Sequence, residues 1–427
     1  MQTITTILHW ISILFLICSF PQIVYMAAAL IKTGRKTPQV LPATAQTSRY
    51  AVLIAARNEE TCLPDLIRSI RAQDYPQENI TVFVVADNCT DNTAAEAARY
   101  GARVYTRSSV VGKGKGYALS FLLKRIYRDF PDGFDGYFVF DADNILAPDF
   151  ITEMDRKFSE GNEIVTGYRN SKNFGSSWIS SSYALWFMRT SRFMNAPREF
   201  FHTSSQITGT GFLVSRRILE ENGGWIYHLL TEDFEFTVDQ ILIGNRIAFC
   251  ETAEFFDEQP ITFAASWNQR IRWAKGYLQV FGRYGKKMMK AVFTGNYAAY
   301  DVSMASLPSA VLSLASFLLN LVLLFWENLA GGFHLASLYS PLTVLLRSYL
   351  LLACIAALTI LTEREHIRAT VAEKVRSVIT FPIFMFSYIP ITLCAIFARP
   401  EWKPIPHVVT AQMISVTGDP AQKVINF

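Results

Sequence analysis

The chain has 427 residues, of which 51% are hydrophobic and 14% aromatic, with a formal net charge of +4. That length admits one large domain or two smaller ones, and the apolar content exceeds that of most soluble proteins, which points to a membrane-associated class. So small a charge excludes nucleic-acid binding through bulk charge, and nucleic acid is not an expected partner.

Residues 6–30 carry no charged side chain and are followed by Lys32, Arg35 and Lys36. A helix of that length crosses a hydrocarbon core, and the basic flank puts its carboxyl end in the cytoplasm. A cleaved signal peptide is the competing reading, but the leading residues lack a basic region and the apolar stretch is longer than usual. In a reducing cytosol the scattered Cys18, Cys62, Cys89, Cys250, Cys354 and Cys394 are expected as free thiols. No C-x-x-C pair or zinc-like spacing with histidine is present.

From residue 50 the pattern alternates between strand and helix. "YAVLIAARNEE" is an apolar run ending in polar residues, and "CLPDLIRSIRAQ" after it has helical spacing. A second unit is "ITVFVVADNCTDNTAAEAARYG", and a third joins "GKGKGYALSFLLKRIYRDF" to the strand "GYFVFDADN". Open α/β sheets bind ligands at the carboxyl ends of their strands, which places Glu59, Asp87 and Asp141 on one edge of a nucleotide-type cleft. The fold class is therefore Rossmann-like α/β. With no G-x-G-x-x-G after the first strand and no G-x-x-x-x-G-K-[ST], dinucleotide oxidoreductases and P-loop ATPases are not favoured.

Asp141 and Asp143 pose an electrostatic problem. Two carboxylates about 4 Å apart repel by about 1 kcal/mol in water and about 4 kcal/mol at an effective dielectric of about 20. A divalent cation bridging them to a diphosphate would cancel that cost, and Mg2+ or Mn2+ suits an oxygen-rich site. A D-A-D that merely caps a turn is the alternative. Glu232 and Asp233 then open a helix, where acidic residues also complement the dipole. In "SWNQRIRWAKGYLQVFGRYGKK", Trp267, Ile271, Ala274, Leu278 and Phe281 share one helical face and basic residues occupy the rest, as in an interfacial helix ahead of a membrane span.

Three later apolar stretches fall at about 304–326, 342–362 and 377–397. Their flanking charges support alternation of side up to residue 376. Pro382 and Pro390 could bend the last stretch into a re-entrant hairpin.

Seven pieces of sequence occur in a known order: "ARNEE" at Ala56–Glu60, "ADNCTDNT" at Ala86–Thr93, "GKGYAL" at Gly114–Leu119, "DAD" at Asp141–Asp143, "GTG" at Gly209–Gly211, "TED" at Thr231–Asp233 and "QRIRW" at Gln269–Trp273. On these the chain resembles the membrane-integrated family 2 glycosyltransferases of the Q-x-x-R-W type, the group with cellulose, hyaluronan and poly-N-acetylglucosamine synthases and ceramide glucosyltransferase. The resemblance implies a GT-A cytoplasmic domain inserted between an N-terminal transmembrane helix and a C-terminal transmembrane bundle. The divisions are an anchor over 1–36, the GT-A domain over 37–262, basic interfacial helices over 263–298, a bundle over 299–398 and a tail over 399–427.

It further implies a multi-pass protein of the cell membrane that extends a β-linked polysaccharide from a UDP-sugar, UDP-GlcNAc or UDP-glucose, with inversion. A glycolipid synthase adding one sugar to a lipid is the alternative, and a non-catalytic transporter with a nucleotide-sensing domain a remote third. Asp87 and Glu59 would hold the nucleoside, Lys115 the diphosphate, Asp141 the nucleotide and Asp143 the metal. Asp233, beside Glu232, would be the general base. Gln269, Arg270 and Arg272 would close over the diphosphate, while Trp273 and the Gly209–Thr210–Gly211 loop would meet the acceptor. Partners implied are the UDP-sugar, a glycan or lipid acceptor, membrane lipids and accessory export proteins. Ala55, where many relatives carry proline, and the single span ahead of the domain depart from the larger synthases.

Overall fold

The computed structural model describes residues 2–32, 48–304 and 339–400, together with single positions at 315, 319, 322 and 325. Apart from residue 304 and those single positions, the span expected at 304–326 therefore lies outside the described residues, as does the tail beyond 400. The expected first strand is β1 (Tyr50–Ala56), followed by β2 (Ile80–Asp87), β3 (Arg103–Arg107), β4 (Gly136–Phe140), β5 (Ile145–Leu146), β6 (Ile164–Ser171), β7 (Phe212–Ser215) and β8 (Ile247–Asp257). They form one sheet in the order β3-β2-β1-β4-β7-β6-β8-β5. Strands β3, β2, β1 and β4 are mutually parallel, β7 runs antiparallel to both β4 and β6, and β5 runs antiparallel to β8.

The helices are α1 (Gln2–Lys32), α2 (Leu63–Arg71), α3 (Thr93–Arg99), α4 (Lys115–Asp129), α5 (Phe150–Ser159), α6 (Trp178–Thr190), α7 (Ala196–Phe200), α8 (Arg216–Glu221), α9 (Glu232–Leu242), α10 (Phe263–Phe293), α11 (Tyr339–Thr362), α12 (Val371–Phe386) and α13 (Tyr388–Phe397). The central strands are apolar throughout because both faces are covered. Val52, Ile54, Phe138 and Phe140 pack against α2 and α5 on one side. Leu53, Phe83, Val85 and Val139 pack against α4 and α8 on the other. This two-sided burial fixes the strand ends in one row, with Asp87 paired in register with Arg107.

Among the described residues three helices are long and apolar enough to cross a membrane: His9–Ile31, Leu342–Thr362 and Val371–Phe397. The last is divided only at Ser387, between α12 and α13, so a kink and not a hairpin follows from its two prolines. All six cysteines are free. Helix α10, expected from its sequence as a basic interfacial helix, packs by a different face from the apolar one its spacing marked. Its buried residues are Ser266, Arg270, Gly276, Val280, Tyr284 and Met288, while the face with Trp267, Ile271, Ala274 and Leu278 stays half-buried. Apolar spacing alone did not mark the inward face, because that face carries an arginine and a glycine whose close packing requires them.

Candidate active site

The acidic turn after β4 is built by its own fourth residue. The amide of Asn144 donates to the carbonyl of Asp141 at 3.1 Å. The amide of Asp141 donates to Thr210 Oγ1 at 2.8 Å, and the Thr210 hydroxyl in turn donates to Asn144 Oδ1. Thr210 and Asn144 are fully buried, so the Gly209–Thr210–Gly211 loop is stitched to the D-A-D turn. Gly211 takes a positive φ of 68°, and a Cβ there would lie 2.1 Å from the Phe255 ring. The glycine is required by this approach.

Lys115, the first residue of α4, reaches across the cleft. Its Nζ donates to Asp141 Oδ1 at 2.5 Å and to the Gly209 carbonyl at 2.8 Å. Asp143 is held differently: Oδ2 accepts the Glu258 amide at 3.2 Å at the end of β8, and Oδ1 accepts from Asn144 Nδ2 at 3.2 Å. The two carboxylates are thus distinct, one facing an ammonium and one framed by amide donors. Among the described residues no cluster of three or more histidine, cysteine or acidic side chains is arranged to hold a metal. Two hard carboxylates at the mouth of the cleft fit Mg2+ or Mn2+ only as a partial oxygen set, with the remaining ligands left to a diphosphate.

Glu232 and Asp233 open α9, where both are half-buried at the cleft. Burial pushes the Glu232 carboxyl up to about 7, against the pull of the Lys115 charge and with the Asp233 charge adding to the rise. Burial also raises Asp233, again opposed by Lys115. Lys115 itself stays above its ordinary value despite burial, because Asp141, Glu232 and Asp233 surround it with negative charge. The three carboxylates and the one ammonium therefore form a single electrostatic unit spanning α4, β4 and α9.

Asp87, at the end of β2, pairs with Arg107 Nη1 at 2.5 Å, and Arg107 Nη2 donates to the Gly112 carbonyl at 2.6 Å. Glu59 Oε2 accepts from Cys62 Sγ at 3.1 Å, and its amide donates to Thr93 Oγ1 at 2.8 Å. Arg107 escaped the sequence reading because β3 itself, a short polar strand, was not read as one. Its signal was the basic residue closing "VYTR" after a glycine-ended helix.

Two further groups were also missed. Glu235, fully buried in the first turn of α9, accepts the His228 and Leu229 amides at 2.9 and 3.0 Å and Arg283 Nη1 of α10 at 2.8 Å. Asp257 accepts Arg169 Nε at 2.8 Å behind the D-A-D turn, and burial raises its carboxyl, with Arg169 opposing and Asp143 adding to the rise. The available sign in both cases was an acidic residue set directly beside phenylalanines, in "FEF" and "FFD".

The Q-x-x-R-W residues divide by direction. Helix α10 touches the T-E-D turn, since a Cβ on Gly276 would lie 2.5 Å from the Thr231 side chain. Gln269 Oε1 is buried without a hydrogen-bond partner among the described residues. Arg272 is half-buried. Arg270, expected at the diphosphate, has its guanidinium engaged by Phe384 and Ser387 at the kink between α12 and α13. Trp273 lies edge-on to Tyr183 and Phe187, with centroids 5.8 and 6.2 Å away.

A mixed eight-stranded sheet whose strand ends carry paired carboxylates and a helix-borne lysine defines a GT-A-like glycosyltransferase fold. The mannosyltransferase PcManGT from Pyrobaculum calidifontis, solved with GDP-Man and Mn2+, shares that fold, with a TM-score of 0.56 at 16% identity over 88% of this chain and 98% of that one. The model of "Glycosyltransferase like family 2" matches residues 48–276, and the chain belongs to that family.

Curated relatives include a probable glycosyltransferase, YdaM, of Bacillus subtilis, 26% identical over 64% of this chain and 66% of its own length. A β-monoglucosyldiacylglycerol synthase of Synechocystis is 26% identical over 59% of this chain and 53% of its own length. A poly-β-1,6-N-acetyl-D-glucosamine synthase of Staphylococcus epidermidis is 25% identical over 56% and 57%. The chain thus spans between about half and two thirds of these relatives. They include both a glycolipid synthase and a polysaccharide synthase.

Proposed function

We propose that this family 2 glycosyltransferase is a membrane-bound, inverting hexosyltransferase that moves a sugar from a UDP-sugar to an acceptor hydroxyl at the cytoplasmic membrane face. The observation that carries the reading is the convergence of Lys115, Asp141 and the raised Glu232–Asp233 pair. The Asp233 carboxylate takes the proton of the acceptor hydroxyl as its oxygen bonds to the anomeric carbon, and the bond from that carbon to the diphosphate oxygen breaks. One displacement inverts the centre, and a positioned base of this kind contributes about 10²- to 10⁴-fold. Lys115 follows the charge that develops on the departing diphosphate. When bound, Mg2+ or Mn2+ at Asp143 supplies charge neutralisation there.

In the same reading Asp87, oriented by Arg107, and Glu59 hold the nucleoside, and Gln269 and Arg272 close over the diphosphate. The Gly209–Thr210–Gly211 loop faces the acceptor. Residues 1–36 anchor the domain and the helices after 298 complete the membrane part.

The acceptor in this reading is a growing β-linked glycan, supported by likeness to the polysaccharide synthase. A second reading, a lipid acceptor, is favoured by the packing of Trp273 into an aromatic cluster with Tyr183, Phe187 and Phe384, the last from a candidate span. Product masses decide between them. Purified full-length protein is given UDP-GlcNAc, UDP-glucose or GDP-mannose with manganese and membrane lipid. A ladder of hexosyl increments supports the glycan, a single increment on lipid supports the glycolipid, and turnover of GDP-mannose alone overturns the UDP assignment. No nucleotide release from any donor overturns the enzyme.

A further inference from the structure

Arg270 sits inside a motif whose other members are read toward donor and acceptor, yet it is 0% exposed. Nη1 donates to the Phe384 carbonyl at 3.1 Å and to Ser387 Oγ at 2.7 Å. The guanidinium carbon lies 4.1 Å from the Phe384 ring centroid and 5.0 Å from that of Tyr388. Nε and Nη2 are buried without a hydrogen-bond partner among the described residues. A buried cation held by one nitrogen and three aromatic rings, Phe263 being the third at 6.0 Å, is a costly arrangement of a kind that in some proteins fixes one packing over another.

The place it holds is a break in the last apolar segment. Ser387 alone separates α12 from α13. Pro390 brings no amide hydrogen for the carbonyl four residues back, that of Phe386, so the ladder is already open there. The Ser387 hydroxyl turns onto the Phe384 carbonyl at 2.6 Å, and Arg270 closes over both. On the other side, Arg270 belongs to the same continuous helix as Gln269, Arg272 and Trp273. Within one helical turn those backbones move together.

We propose that Arg270 is a positioning residue that locks α10 to the membrane-segment kink, so that the kink sets the placement of Arg272 and Trp273. The inference rests on the reading of Arg272 and Trp273 as donor and acceptor contacts. Its consequence is that a shift of the kink, as an acceptor arrives from the membrane side, reaches the diphosphate arm through Arg270 at the break, while Lys275 Nζ ties the same helix to the Ile396 carbonyl at 3.0 Å further along.

The test uses full-length protein in lipid nanodiscs, with UDP affinity, acceptor KM and kcat measured separately. Arg270→Met is expected to lower kcat about tenfold or more and to weaken UDP by less than Arg272→Met, which weakens it about tenfold, because the loosened arm still carries Arg272. Ser387→Ala is expected to lower kcat less, and to add nothing once Arg270→Met is present, since the two groups act through one contact. Where Arg270→Met does not fold, Arg270→Lys replaces it in the same cycle. Loss of UDP affinity equal to that of Arg272→Met overturns the proposal, as do additive effects with Ser387→Ala. Should wild-type protein turn over no nucleotide sugar, the functional reading falls. The lock is then judged by the same cycle in thermal unfolding, where additivity rejects it and non-additivity upholds it.

Discussion

Replacing Gly116 with alanine adds one methyl group where α4 passes the loop ahead of α9. The new Cβ would lie 2.0 Å from the carbonyl oxygen of Tyr227 and 3.1 Å from its carbon, both of them backbone atoms. Carbon and oxygen need roughly 3.2 Å, so the amino end of α4 must retreat by roughly 1.2 Å or the loop must yield. The loop is poorly placed to yield: Glu235 holds the His228 and Leu229 amides, and the His228 ring stacks on Tyr117 at 4.2 Å. Lys115 therefore moves, and its bonds of 2.5 and 2.8 Å to Asp141 and Gly209 cannot both survive.

Overpacking of this kind costs about 1–3 kcal/mol of stability, and a misplacement of about 1 Å at a reacting centre costs on the order of 10²-fold in rate. The assay is nucleoside diphosphate release from the preferred donor, read beside thermal unfolding. Gly282 of α10 provides the control, since a Cβ there meets nothing within 4 Å. Gly282→Ala should stabilise by roughly 0.5–1 kcal/mol and leave turnover unchanged. Activity of Gly116→Ala within about twofold of wild type would refute the claim that this close approach aims Lys115.

Asp233→Asn should abolish transfer while UDP binding, followed calorimetrically, stays nearly intact; a large loss of affinity would mean the base is misassigned. Because a base must be deprotonated to act, kcat should fall as pH drops through the raised range of the Glu232–Asp233 pair, near 7 for Glu232. An acid limb at the ordinary carboxylate position, about 4, would contradict this. The same rise means that the folded state holds its protons more tightly than the unfolded chain. That stability is present below the unfolded value and lost as pH rises toward 7, so Glu232→Gln should raise the melting temperature at pH 8 but not at pH 4.

Asp143→Ala should remove metal stimulation together with activity, and a variant still stimulated by manganese would refute the ligand role. Away from the cleft, Arg198 and Asp301 are each 2% exposed and paired at 2.7 Å, with Tyr25 of α1 donating to the same carboxylate at 2.9 Å. Asp301→Ala leaves that guanidinium buried without its counter-charge, and should destabilise by about 3–5 kcal/mol in detergent melts.

The strands that the sequence revealed are those buried on both faces. β1, β2 and β4 read as apolar runs interrupted only by Thr81, and the acidic residues at or just past their ends were visible because nothing charged lies within those runs. β3 was hidden, since "RVYTR" at the sheet edge alternates weakly, and Arg107 went with it. β5 is two residues long and was beyond any periodic pattern. The antiparallel return through β7 and the pairing of β6 with β8 depend on contacts distant in sequence, which spacing cannot express.

In the site, Asp141, Asp143, Lys115 and Asp233 stand out by motif. The buried supports Glu235, Asp257 and Arg169 look locally like interruptions of apolar segments. The direction of Arg270 was the hardest to foresee. Neighbours two residues apart on a helix face nearly opposite ways, so in the proposed reading one motif serves both the cleft and the candidate membrane span.

In the proposed function Asp233 and the Lys115–Asp141 pair serve sugar transfer from a nucleoside-diphosphate sugar. The most direct test is mass analysis of acceptor incubated with each nucleotide sugar and either wild-type protein or Asp233→Asn. Wild-type protein should give hexosyl increments matched one for one by released nucleoside diphosphate, and the variant none. Increments that persist in Asp233→Asn, or wild-type protein that adds no sugar from any donor, would contradict the proposed function.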